Sequence, residues 1–435
     1  MKELSYQERS FQYLLFGLFL GTALYVFSIG SIMEPDTGSY LHLTIITTPA
    51  YPLFLYGFKK IFGTDGLGIY VVVLQLLYGL YAIWYFSKES KHFFKLSTLF
   101  STVLGVILIV PYWDPNILVA NRIVSEGLAY PTFLIWLALF LQCIHKINRK
   151  KALKLFIVLG FLISLRPQFN FIIPGIGLVL LIGLGTTFSK KKVFMGMISI
   201  LVLLILLNVF EKGYHFALRG EFTKTANTGV QLMTLPMFVA DAEDYIIFED
   251  KRQQEYFKHV YNKADSLRLL QSYATPTFDQ TIYHHLHNNY ASLSYQVLSQ
   301  QGRKFINPTE VESQQTLISN NNLLISMWLP LVLDNFSSFF DVFFLNVINA
   351  FDGYVWLVVH ILLLAFVLYD WKYRQRVKSM YLCFLLILVG SNTLLVCLVE
   401  HSIDRYFIYT RWMLPFIFLI ILHQNYTLLI KNKHS

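Results

Sequence analysis

Charge is scarce in this chain. Acidic and basic residues together make up 14% of its 435 residues, against about 25% in an average soluble domain, which excludes an ordinary water-surrounded globular fold before any motif is read. Cysteine is scarcer still. Cys143, Cys383 and Cys397 are the only three, all in or beside apolar runs, which excludes a disulfide framework and a cysteine-based zinc site in the polar part of the chain. No small-residue cleavage site follows the apolar run behind Lys2 and Arg9, so a retained first span is expected in place of a removed leader. Repeats with a period of about 20–50 residues and low-complexity linkers are lacking too, which leaves no signature of a repeat array.

What is present is apolar: 55% hydrophobic and 17% aromatic residues. At roughly twenty residues per crossing, hydropathy predicts an all-α polytopic membrane protein of about ten spans, near 11–30, 68–87, 96–111, 124–144, 153–166, 170–187, 193–210, 354–370, 380–399 and 411–430. The loops between them alternate in charge. One side carries Lys2, Arg9, the Lys88–Lys95, Lys146–Lys154, Lys190–Lys192 and Lys372–Lys378 clusters and finally Lys431 and Lys433. That side holds 19 of the 35 basic residues and four of the 26 acids, Glu3, Glu8, Glu89 and Asp370, a surplus of fifteen positive charges. The other side is negative by six, which completes the formal net charge of +9. This is the positive-inside pattern of a membrane protein and excludes a nucleic-acid patch as the source of the basic excess. It predicts cytoplasmic termini, in the cytoplasmic (inner) membrane of a bacterium, with the Asp36 loop, the 122–126 segment, the insert and the 404–411 segment outside.

Three parts follow: an N-terminal bundle (1–210) with its first outer loop at 31–67, an extracytoplasmic insert (211–353), and closing spans (354–435). The insert is polar as far as about residue 320 and then turns apolar, interrupted by Pro330, Asp334, Asp341 and Asp352. Those interruptions predict amphipathic helices lying at the outer interface over 322–352, not a further crossing.

Asp36, delivered to the membrane edge by the first span, is the leading candidate for chemistry, because an acid placed there is costly unless something uses it. It also suits the N-cap of a short helix starting at Thr37. Glu34, two residues earlier, is a second carboxylate for the same site or for a divalent metal, or an exposed loop acid. Glu126 opens the fourth span, where an acid favours the helix dipole. Arg166 lies at the end of an apolar stretch ahead of Pro167, with Arg405 and Arg411 before the last span. Guanidinium groups match phosphate oxygens with a fork of donors, and they also snorkel to headgroups or pair with nearby acids. Arg405 has Glu400 and Asp404 within reach in sequence. Lys59 and Lys60 end an aromatic helix and suit either a lipid phosphate or headgroup anchoring. His284, His285 and His287 are dense, but no cysteine or HExxH pattern supports zinc there, and a solvated polar helix is expected.

The segment Met33-Glu34-Pro35-Asp36-Thr37-Gly38-Ser39-Tyr40 followed by Pro49-Ala50-Tyr51-Pro52-Leu53-Phe54-Leu55 resembles the first outer loop of GT-C superfamily glycosyltransferases, the polytopic enzymes related to protein O-mannosyltransferases and aminoarabinose transferases. Ser125-Glu126-Gly127-Leu128, Leu165-Arg166-Pro167, and Asp404-Arg405-Tyr406 ahead of Pro415 are similar in order and placement. Where members often carry arginine before the proline-tyrosine-proline stretch, this chain has Thr47 and Thr48. The resemblance implies a GT-C-type bundle that transfers a sugar from a polyprenyl-phosphate donor to an extracytoplasmic glycan, lipid or protein acceptor of the cell envelope. It implies Asp36 as general base, Arg166, Arg405 and Arg411 near the lipid phosphate, and Tyr40 and Tyr51 in the loop that meets donor and acceptor. No cofactor is certain from it: a divalent metal, Mg or Mn, serves some members only.

Two rivals are weighed against this expectation. A surface-polysaccharide polymerase or ligase relies on outer-loop arginines and a histidine more than on a first-loop aspartate. A transporter or lipid flippase for envelope precursors places ionisable residues near mid-bilayer and often shows inverted repeats. Arg166-Pro167 is the one feature here that fits the flippase.

Overall fold

The computed structural model describes residues 6–145, 148–183, 189–274, 279–374 and 377–433. Lys2, Glu3, Lys146 and Arg376 of the loop-charge count lie outside them, as do the side chains of Lys431 and Lys433. The described secondary structure is helical apart from one isolated parallel bridge between Ile32 and Arg122. The first part comprises α1 (Tyr6–Ile29), α2 (Pro35–Leu41), α3 (Ala50–Phe62), α4 (Leu67–Phe94), α5 (Thr98–Trp113), α6 (Glu126–His145), α7 (Arg149–Leu165), α8 (Ile172–Ile182) and α9 (Lys190–Arg219). The insert holds α10 (Thr228–Val239), α11 (Lys251–Ser266), α12 (Asp279–Ala291), α13 (Gly302–Ile306), α14 (Gln314–Asp334) and α15 (Phe336–Ala350). The chain closes with α16 (Tyr354–Arg374), α17 (Val377–Val399), α18 (Asp404–Phe407) and α19 (Met413–Lys433).

Every predicted span has a helix, but ten crossings are not reached on length and apolarity. Among the described residues seven helices meet both: α1, α4, α6, α9, α14, α16 and α17. The helices α5, α7 and α8 are shorter than about eighteen residues, and the described side chains of α19 form an apolar stretch over Met413–Gln424. The helix ends follow local chemistry. Asn148 Oδ1 accepts the Lys151 N–H at 2.8 Å and caps α7, and Ser189 Oγ does the same for α9, as N-cap residues do. The long α9 stops at Gly220, whose φ of +77° only glycine adopts without strain. The end of α4 meets the start of α17, where Lys378 Nζ donates to Phe94 O at 3.3 Å.

Two apolar cores form. One runs through the bundle from Val26 and Leu76 to Phe133, Trp136, Phe384 and Phe416. The other belongs to the insert and joins Met233, Phe238, Tyr256, Phe257, Leu293, Met327 and Phe339. The helix α14, apolar and long enough to cross a membrane, packs chiefly on α10 in this second core. Its buried amides decide that placement: Asn320 Oδ1 accepts from the Tyr256 hydroxyl at 2.8 Å and Asn321 Oδ1 from Gly229 N–H at 2.8 Å. Phe336, Phe340 and Phe344 leave an exposed apolar stripe on α15, the amphipathic form expected for that part of 322–352, whereas α14 meets the length and apolarity of a crossing.

The insert sits on the end of α17 that leads to Arg405. Asn346, fully buried on α15, donates to Cys397 O at 3.1 Å and Glu400 O at 2.8 Å and accepts from Ser402 N–H at 2.8 Å. Tyr283 and Tyr290 of α12 donate to Ser402 O at 2.8 Å and Val399 O at 2.7 Å. An Asn346→Ala variant leaves these backbone groups unpaired in a dry seam, and a loss of about 2–3 kcal/mol is expected, measurable as a lower thermal unfolding temperature of the purified protein.

Candidate active site

The first outer loop folds around its own polar residues. Pro35 starts α2 because its fixed φ suits a first helical turn, and Glu34 is the N-cap. Thr37 Oγ1 accepts the Glu34 N–H at 2.9 Å and donates to Ile123 O at 2.9 Å. Asp36 is therefore one residue inside the helix and does not cap it, which corrects the helix start at Thr37. Its side chain is freed for other contacts and is 52% exposed.

A second loop, between α5 and α6, is stitched to the first. Ile32 N–H donates to Asn121 O at 2.8 Å and Ile123 N–H to Ile32 O at 2.9 Å. Asn121 Nδ2 ties both to the end of α1 through Val26 O (2.8 Å) and Gly30 O (2.7 Å). Gln75, buried in α4, donates to Ala120 O at 2.9 Å and Arg122 O at 3.1 Å and accepts from the Tyr51 hydroxyl at 2.9 Å. Leu43 (φ +52°) and Leu118 (φ +42°), one in each loop, occupy the left-handed region, a strain of about 1–2 kcal/mol per residue that surrounding contacts must hold. A β-carbon on Gly127 would stand 2.2–2.5 Å from the Gln75 amide. Gly127→Ala should displace Gln75 and destabilise the protein by about 1–3 kcal/mol, read as lowered thermal stability.

These loops bring together residues far apart in sequence. Arg166 Nη1 lies 2.5 Å and Arg405 Nε 2.8 Å from the same oxygen, Glu126 Oε1. Arg405 Nη2 also reaches Asp36 Oδ2 at 3.3 Å. Glu126 is 3% exposed. Neither guanidinium makes an aligned hydrogen bond to that shared oxygen, and Arg405 Nε–H has no other partner, so the contacts are chiefly charge on charge. The Tyr406 ring backs both cations, its centre 5.4 Å from the Arg166 guanidinium and 5.6 Å from that of Arg405. Burial opposes the Arg405 charge, but Glu126 above all holds its pKa above the ordinary arginine value. The Tyr40 hydroxyl faces the same charges: burial first, then Glu126, pushes it up to about 12, so it remains a neutral donor at physiological pH. Tyr51 is fully buried against the Tyr40 ring at 5.0 Å, with its hydroxyl on Gln75, and belongs to the packing of the loop.

The other predicted residues fall elsewhere. Arg122 Nη1 takes Glu34 Oε1 at 2.8 Å, so Glu34 and Asp36 pair with different arginines. Arg405 pairs with neither Glu400 nor Asp404. Asp404 binds Arg411 at 2.5 Å, and Asp352 binds the same guanidinium at 2.6 and 2.7 Å. Arg411 stands at the rim of an apolar groove of about 230 Å³, where two carboxylates on one cation make the rim negative and disfavour a phosphate. Lys59 and Lys60 are exposed on the last turn of α3, with Lys60 5.5 Å from the Tyr56 ring, and no described contact links them to Glu126. Among the described residues no group of three or more His, Cys, Asp or Glu side chains is disposed to hold a metal ion. With Glu34 and Glu126 bound to arginines, the donor set does not suit Mg or Mn. His287 lies 4.9 Å from the His401 ring at the insert seam; burial, then His401 and His284, keeps its pKa below the ordinary value.

Sequence reading missed several members. Gln168 Nε2 donates to Asn392 Oδ1 at 2.8 Å and Tyr406 O at 2.7 Å, tying the turn after Arg166 to the loop of Arg405. Gln75 and Asn392 stood as lone amides inside apolar spans, a signal of an interhelical partner. Tyr409, fully buried with its hydroxyl unpaired among Arg166, Glu126 and Arg405, had no signal, being one of 27 tyrosines. The chain matches no protein-family model, no curated protein and no solved structure. The apolar helices make it an integral membrane protein, and the chemistry rests on the site itself.

Proposed function

We propose that the protein is a GT-C-type membrane glycosyltransferase, which moves a sugar from a polyprenyl-phosphate donor to an acceptor hydroxyl on the insert side of the bundle. The observation that carries this reading is the convergence of Asp36, Arg405, Glu126 and Arg166 from four separate segments at one end of the spans. Asp36 accepts the proton of the acceptor hydroxyl while that oxygen attacks the anomeric carbon. The bond from that carbon to the phosphate oxygen breaks, and the electron pair leaves with the polyprenyl phosphate, whose charge grows by one. Arg166 and Arg405 neutralise that growing charge. The Asp36–Arg405 contact links the two events: protonating Asp36 removes the charge that draws Arg405 toward it, as the leaving phosphate gains charge. Glu126 holds both cations in a site otherwise too dry to keep them.

Incubating purified protein in nanodiscs with a panel of polyprenyl-phosphate sugars and candidate hydroxyl acceptors tests this reading. Transfer from one donor supports it and names the sugar. Lipid movement across vesicles with no transfer in the panel would favour the flippase, for which the buried Arg166–Glu126 pair is the supporting observation. Arg166→Lys keeps the charge beside Glu126 but loses the forked donor geometry. It is expected to lower kcat/KM for the lipid donor about tenfold, with thermal stability close to wild type.

A further inference from the structure

The lysine-rich end of the bundle, opposite the insert, holds a second site unrelated to the proposed transfer. A cavity of about 150 Å³ opens between the first turns of α1 and the last turns of α4, lined by Glu8, Phe11, Gln12, Trp84, Lys88 and Lys91. Trp84, Lys88 and Lys91 fall at i, i+4 and i+7 of α4 and so share one helix face. Aromatic rings hold the lysine stems: Lys88 Nζ lies 5.0 Å from the Trp84 ring centre and Lys91 Nζ 4.6 Å from that of Phe11. Both lysines are half-buried, so their charges act where water screens them poorly. Among the described lining residues Lys88 and Lys91 stand with one acid, Glu8.

The volume is below the roughly 300 Å³ at which whole small-molecule ligands are usually enclosed, and suits a headgroup. Beyond it the same helices present Tyr13, Leu14, Leu77 and Tyr81 to the exterior, an apolar surface in continuity with the cationic slot. That profile, cationic at the loop end and apolar along the helices, is the profile of a phospholipid, and Trp84 stands where aromatic residues mark the membrane interface. We propose that the slot between α1 and α4 binds the phosphate headgroup of an anionic phospholipid, with Lys88 and Lys91 as its cations.

Native mass spectrometry of the full chain, released from nanodiscs containing phosphatidylglycerol and phosphatidylcholine, tests this. The wild type should retain one phosphatidylglycerol in preference to phosphatidylcholine. Lys88→Gln with Lys91→Gln should weaken that retention about thirtyfold, the effect of two interfacial lysine charges. Lys88→Arg with Lys91→Arg should bind as the wild type does. Equal retention by the wild type and the glutamine variant would overturn the proposal. Loss in the arginine variant as well would overturn it too, because stem packing and not charge would then hold the lipid. Displacement of phosphatidylglycerol by inorganic phosphate at equal concentration would assign the slot to a free phosphorylated ligand, against the lipid reading. None of these outcomes depends on sugar transfer.

Discussion

Asp36→Asn should lower sugar transfer by roughly a hundred- to ten-thousandfold, the usual worth of a positioned general base, with the amount and melting temperature of the protein unchanged. The separation of the two effects follows from the geometry. Asp36 is half-exposed and its described partner is Arg405 at 3.3 Å, and ion pairs of that exposure contribute about 0–1 kcal/mol to stability. Arg405 keeps its closer contact with Glu126 at 2.8 Å in the variant, so the phosphate-binding side of the site stays assembled. Asparagine has nearly the same shape as aspartate but cannot accept the proton. The measurement is the single-turnover rate from the donor identified for the wild type, beside a thermal unfolding curve. Full activity in the variant would remove Asp36 as the base and leave the arginine pair without an identified proton acceptor.

Glu126→Ala should do the reverse and act first on the fold. Its carboxylate is 3% exposed and stands between two guanidiniums. Removing it leaves the Arg166 side chain, 13% exposed, as a cation without its counter-ion in an apolar setting. Breaking a buried pair from one side costs about 3–5 kcal/mol, the largest loss expected of any single change at this site. A second substitution separates this effect from simple loss of packing. Glu126→Ala with Arg166→Met removes both charges together and should recover much of the stability while transfer stays lost. If the single variant unfolds at the wild-type temperature, Arg166 is solvated and the account of a dry, balanced site fails. If the double variant is no more stable than the single one, the loss lies in packing instead.

Much of the architecture was legible in the chain. Helices long and apolar enough to span, and an insert with a core of its own, follow from the cost of leaving backbone groups unpaired in lipid, which acts on local composition. Asp36, Arg166, Arg405 and Glu126 could be singled out because each is a charge at the edge of an apolar run. The count of crossings was less legible: α14 is long and apolar enough to span, yet it packs on α10 in the insert core, with Asn320 and Asn321 bonded there.

Partner choice was not legible at all. Arg405 has Asp404 beside it in the sequence, yet it reaches Glu126 and Asp36, while Asp404 binds Arg411. Glu34 suits a second carboxylate by spacing, but Arg122 takes it. Ion pairing depends on distances of a few ångströms between side chains, and those are set by how loops close. Here the Ile32–Arg122 bridge and the Gln75, Gln168 and Asn346 amides close them. Local composition determined by itself that this chain lives in a membrane and which charges stand at its edge. The tertiary structure alone decided which of those charges meet, because contacts between residues hundreds of positions apart leave no trace in the composition around either one.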